Sequence, residues 1–146
     1  MLRRKIDKDL ERRSERGFTL IELLIVMIIL SLLGALVGPQ VIKRLGPAKQ
    51  QAAKTQIAMF GGALDQFRLD VGRYPSTQEG LDALRKNPGN DHWQGPYLPK
   101  EVPLDPWGKP YLYRSPGENG DYDIMSQGAD GQDGGDGENA DVVSWK

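Results

Sequence analysis

The chain has 146 residues, with 19 Lys and Arg against 20 Asp and Glu, a formal net charge of −1, one histidine and no cysteine. That length holds one membrane helix and one small globular domain, and the missing thiols exclude a disulfide framework and any thiolate metal site. The bases crowd the first seventeen residues and no basic stripe follows, which excludes a nucleic-acid footprint.

Residues 1–17 carry Arg3, Arg4, Lys5, Lys8, Arg12, Arg13 and Arg16 against Asp7, Asp9, Glu11 and Glu15. From Phe18 to Val37 the chain is apolar except for Thr19, Glu22 and Ser31. A helix of that length rises about 30 Å, the thickness of a bilayer core. The basic entrance places the N-terminus in the cytoplasm and everything after Pro39 outside, by the positive-inside rule. A secretory signal peptide is the competing reading, but its apolar region would be shorter and a small-residue cleavage site would follow it. Here the small residue, Gly17, precedes the run. Cutting between Gly17 and Phe18 leaves the helix on a product with formal charge about −4, because the leader takes +3 with it. Glu22 is costly in lipid and is kept for a partner or a function, unless it snorkels to the headgroups.

The helix is expected to continue from about residue 19 to residue 70, bent at Pro39 and Pro47. Ile57, Phe60, Leu64, Phe67 and Val71 recur at helical spacing and form one apolar stripe, while Lys54, Asp65, Arg68 and Asp70 fall on other faces. Gly61-Gly62 weakens the helix locally. Arg73-Tyr74-Pro75 ends it, and Ser76-Thr77-Gln78-Glu79 has the spacing of a capping box for a short second helix through Leu81, Leu84 and Lys86. After a loop rich in Pro, Gly and Asn, the turn Asp105-Pro106-Trp107-Gly108 feeds a strand from Tyr111 to Arg114. A second strand follows from Tyr122 to Ser126. Two or three short antiparallel strands against one helix make an α+β fold.

Between Asp121 and Asp141 lie seven acids (Asp121, Asp123, Asp130, Asp133, Asp136, Glu138 and Asp141) and no base, threaded with glycines. Hard oxygen ligands on a glycine-rich loop suit Ca²⁺, which takes six to eight oxygens. The alternative is a solvated acidic tail. The spacing is not that of an EF-hand. No nucleophile elbow, phosphate loop, dinucleotide fingerprint or zinc-protease motif occurs, and His92 lies alone in a loop, so the sequence is not read as an enzyme.

The string Arg16-Gly17-Phe18-Thr19-Leu20-Ile21-Glu22 resembles the processing site of the type IV pilin-like family. The resemblance implies removal of the leader by a prepilin peptidase after Gly17 and N-methylation of Phe18. It also implies pairing of Glu22 with the α-amino group of a neighbouring subunit. Tyr74-Pro75-Ser76-Thr77-Gln78-Glu79-Gly80-Leu81, Asp105-Pro106-Trp107-Gly108 and Ser126-Gln127-Gly128-Ala129-Asp130-Gly131, in that order, resemble the major pseudopilins of type II secretion systems. Three segments follow: a leader at 1–17, a membrane and assembly helix at 18–38, and a periplasmic domain at 39–146. The resemblance also implies calcium held by the Gln127 carbonyl and Asp130, with Asp136 or, in its place, Glu138 as the second acid.

The implied function is that of a structural subunit of a helical homo-oligomeric fibre, which grows from the inner membrane and drives folded proteins across the outer membrane. Its partners would be minor pseudopilins, the prepilin peptidase and the inner-membrane secretion platform. A pilin for adhesion, motility or DNA uptake shares the leader and helix but not the acidic loop. A membrane-anchored, calcium-sensing periplasmic monomer would keep its N-terminus uncleaved.

Overall fold

The computed structural model describes residues 17–146, with only the backbone described at Ile42. The expected leader, apart from Gly17, lies outside the described residues. The chain divides into two compact units, with the division between Val41 and Ile42.

One helix, α1 (Leu20–Val71), contributes to both units. Its bounds lie within about one residue of the expected ones, and Pro39 and Pro47 fall inside it without ending it. It stops where Gly72 takes φ 86° and donates its N–H to the Arg68 carbonyl at 2.8 Å, a glycine C-cap. In the first unit every large apolar side chain from Leu20 to Val37 is exposed. By length and composition this part of α1 is able to cross a membrane.

In the second unit the expected stripe builds the core. Ile57, Phe60, Leu64 and Phe67 are buried together with Ala53 and Ala63, and Val71 packs at the edge. Lys54, Asp65, Arg68 and Asp70 are exposed, as their positions on the other faces require. The stripe meets Leu81, Leu84, Leu98, Tyr111, Ile124 and Val142. Phe60 stands edge-on to Tyr111 at 5.1 Å between centroids, and Phe67 to Tyr97 at 5.7 Å, the arrangement aromatic quadrupoles favour.

The Ser76–Glu79 box forms reciprocally: Ser76 N–H donates to Glu79 Oε2 at 2.7 Å, and Glu79 N–H to Ser76 Oγ at 3.2 Å. It closes a turn rather than starting an α-helix. Gly80 takes φ 62° and ψ −169°, so helical geometry cannot pass through it, and a single 3-10 turn (Leu81–Leu84) follows. The expected second helix is therefore corrected to one turn.

Three antiparallel strands, β1 (Leu112–Arg114), β2 (Asp123–Ser126) and β3 (Val142–Val143), lie in the order β1-β2-β3. Tyr113 pairs with Ile124, and Ser126 with Val142. The first two strands begin one residue later than the sequence pattern suggests. Two tyrosines tie the end of α1 to the loops: Tyr74 OH donates to Asp65 Oδ1 at 2.9 Å, and Tyr97 OH to Asp70 Oδ2 at 2.8 Å. Tyr74 also meets Tyr122 edge-on, and Trp93 meets Tyr97.

Candidate functional sites: the helix start and the acidic loop

Gly17, Phe18 and Thr19 precede α1 in exposed, non-helical backbone, and Phe18 is 84% exposed. Among the described residues, nothing packs where a side chain at Gly17 would stand. Thr19 N–H donates to Glu22 Oε2 at 2.8 Å, and Glu22 N–H to Thr19 Oγ1 at 3.2 Å. This is a second reciprocal capping box, and it satisfies backbone donors at the helix start while placing a carboxylate at the positive end of the helix dipole. The sequence reading singled out Glu22 but missed its local partner. The signal was the T-x-x-E spacing itself, which was recognised at Ser76 and not here.

The acidic loop leaves β2 at Gln127 and returns at β3. Its first turn closes when Gly131 N–H donates to the Gln127 carbonyl at 3.2 Å. Asp130 Oδ1 accepts the Gln132 N–H at 3.1 Å, and the Gln127 side-chain amide donates to Asp133 Oδ1 at 2.6 Å. Asp136 precedes a 3-10 turn (Gly137–Asn139) and accepts the Asn139 N–H through its carbonyl at 3.0 Å. The Glu138 side chain lies against Gly46 of α1, so close that a Cβ at Gly46 would stand 2.5 Å from its Cγ. Asp141 Oδ2 accepts the Gly134 N–H at 2.8 Å, while Oδ1 is shielded from solvent with no hydrogen-bond partner among the described residues. No three acidic or histidine side chains among the described residues are gathered into one metal-sized cluster.

The loop is braced from behind. Asp105, only 4% exposed, accepts the N–H groups of Trp107 and Lys109 on Oδ1 at 3.0 and 2.8 Å. On Oδ2 it accepts the Ser126 hydroxyl at 2.6 Å. This pins the Asp105–Gly108 turn to β2 and aims Lys109 at the loop, where its Nζ donates to the Ala129 carbonyl at 2.8 Å. Lys109 was not singled out from sequence, and Asp141 was named only as one of the seven acids of the loop. Lys109 is one base among many until the fold brings its turn beside residue 129. His92 is exposed, in the loop where it was expected.

The family described as type II secretion system (T2SS), protein G, matches residues 40–145. The chain belongs to the type II secretion protein G family. A second match, to the prokaryotic N-terminal methylation motif, spans residues 12–38 and so includes Gly17, Phe18 and Glu22. Among protein G relatives, the type II secretion system core protein G of Pseudomonas aeruginosa is 46% identical over 140 residues, 93% of this chain and 99% of the relative. That of Vibrio cholerae is 42% identical, covering 91% and 93%, and that of Escherichia coli K12 is 37% identical, covering 90% and 92%. The crystal structure of the major pseudopilin from the type 2 secretion system of enterohaemorrhagic Escherichia coli superposes with a TM-score of 0.56 at 34% identity, covering 68% of this chain and 88% of that one. The long helix and small antiparallel sheet are thus the protein G pseudopilin fold, and the chain is a structural subunit of the secretion pseudopilus.

Proposed function

We propose that this pseudopilin is made as an inner-membrane precursor with its N-terminus cytoplasmic, cut after Gly17, methylated on Phe18, and packed by residues 18–38 into a periplasmic fibre. The observation that carries the reading is the bare apolar surface of Leu20–Val37, interrupted near its start only by Glu22. Such a surface needs lipid first and neighbouring copies afterwards. An ammonium on the new Phe18 and the Glu22 carboxylate are each costly in an apolar fibre core, and pairing them across subunits offsets much of that cost while fixing axial register. The prepilin peptidase, the inner-membrane platform and minor pseudopilins are the partners this route requires.

Intact mass of the protein purified from membranes of its own host tests the route. A species starting at Phe18 and one methyl group heavier than the unmodified fragment is expected. A full-length, unmodified mass overturns it in favour of an anchored monomer.

The acidic loop is proposed to hold calcium through the Gln127 carbonyl and Asp130, with Asp136 or Glu138 supplying further oxygen. Asp141 joins these candidates, because its shielded and unpartnered Oδ1 fits a cation better than it fits a dry loop. A bound divalent cation supplies charge neutralisation and hard-ligand crosslinking there. The chain's own part is to present oxygens on backbone that glycine permits: Gly128, Gly131, Gly134, Gly135 and Gly137 all take positive φ. Millimolar Ca²⁺ is expected to raise the thermal midpoint, and Asp130→Ala to abolish the rise. A midpoint indifferent to Ca²⁺ removes the site.

A further inference from the structure

We infer that Gln50 is the positioning residue through which α1 holds the acidic loop, so that order imposed on the loop by a cation passes to the helix. The inference rests on the calcium reading above and extends it to a residue outside the loop.

Gln50 is half-buried, and its Nε2 donates to two loop carbonyls, Gly137 at 3.1 Å and Ala140 at 2.9 Å. Both amide hydrogens are used, so the contact exists only when the two carbonyls are held together at the ends of the Gly137–Asn139 turn. Four residues earlier, on the same helical face, Gly46 is buried under the Glu138 side chain. Positions 46 and 50 thus form one seat for residues 137–140. The other end of the loop is held by Lys109 Nζ on the Gly128 and Ala129 carbonyls, and the Ala129 N–H donates to the Glu138 carbonyl at 2.9 Å, so the two ends also touch.

Between the two anchors, residues 130–136 carry three of the acids and make hydrogen bonds only within the loop and to Asp141. Without a cation, mutual repulsion of these carboxylates strains the stretch that joins the anchors. The seat on α1 needs two carbonyls in register, so that strain weakens it. The helix donor is spent on backbone oxygens, which leaves the carboxylates available for a cation. Coupling of this kind is reciprocal: whatever factor a cation adds to the helix contact, loss of the helix contact removes from cation affinity. Two neutral hydrogen bonds correspond to about a tenfold effect.

The test is hydrogen exchange read by mass spectrometry on the full chain in detergent micelles, stripped with a chelator and titrated with CaCl₂. In the unsubstituted chain, Ca²⁺ is expected to slow exchange in residues 127–141 and in residues 45–54. Gln50→Met, which keeps side-chain length and helix propensity but has no donor, is expected to lose the protection in 45–54 and to need about tenfold more Ca²⁺ to protect the loop. If Ca²⁺ leaves 127–141 unchanged in the unsubstituted chain, the calcium reading fails. If Ca²⁺ protects 127–141 but not 45–54, or if Gln50→Met behaves as the unsubstituted chain does, the calcium reading stands and the coupling is overturned. Exchange in residues 60–67, the core face of α1, reports whether the variant is folded. Should it not be, the response of 45–54 in the unsubstituted chain decides.

Discussion

Glu79 shows how a single side chain can be read in two directions. It closes the capping box with Ser76 and also receives Arg73 through both guanidinium nitrogens, at 2.6 and 2.7 Å. The Arg73 hydrogen bonds, helped by the Ser76 N–H, hold the Glu79 carboxyl down to about 2 against the opposing effect of burial. A carboxylate depressed in the folded state stabilises above its unfolded value and loses that contribution as pH falls towards its folded value. Glu79→Gln is therefore expected to cost about 1 kcal/mol at neutral pH, allowing for screening at the half-exposed Arg73. The difference from the unsubstituted chain should vanish between about pH 5 and pH 2, and denaturant midpoints measured along that range check it. The box was legible because S-x-x-E is a local spacing. The Asp105 hub was not legible as a hub, because one of its donors, Ser126, lies 21 residues away. The seat of Glu138 on Gly46 depends on an approach that no local pattern encodes.

At the scale of elements, α1 was readable because the apolar stripe from Ile57 to Val71 keeps the helical period, and its end was readable within a few residues from Arg73-Tyr74-Pro75, although the residue that caps it is Gly72. The strand β3 was not, because two residues after a glycine-rich acidic loop carry no alternation to detect; only the fold, pairing Val142 with Ser126, makes them a strand. The second helix was over-read, since a correct capping signal was followed by a glycine whose backbone angles forbid continuation. The same helix offers a contrast in energy. Phe60 is fully buried against Tyr111, whereas Leu69 is 83% exposed. Phe60→Ala is expected to destabilise the domain by about 3–5 kcal/mol and Leu69→Ala by no more than about 0.5 kcal/mol. Chemical denaturation of the two variants tests this. Comparable losses would mean that Leu69 is covered in solution.

For the whole molecule, the sequence sorted itself into parts with different jobs: an apolar helix start with one reserved charge, a helix-on-sheet domain, and an acidic loop. The family comparisons agree with that assignment of the chain as a pseudopilin. What the sequence left open was how Glu22 is kept while the subunit is alone, and the structure supplies a partner in Thr19. In the proposed assembly the carboxylate must be available to a neighbouring subunit's amine. Glu22→Ala is accordingly expected to leave membrane insertion intact, as carbonate-resistant material, while fibres sheared from cells fall several-fold. Unchanged fibre yield would remove Glu22 from the register-setting role.

The aromatic residues described above have a consequence for anyone watching this protein with light. All three tryptophans and all five tyrosines lie between Tyr74 and Trp145, and residues 19–59 contain no aromatic side chain at all. Intrinsic fluorescence and near-ultraviolet dichroism therefore report melting of the domain and are blind to the apolar first half of α1. A denaturation curve recorded that way describes one end of the chain only. Following the other end optically requires a reporter placed there, and Leu36→Trp, at an exposed position on the apolar surface, is a suitable choice.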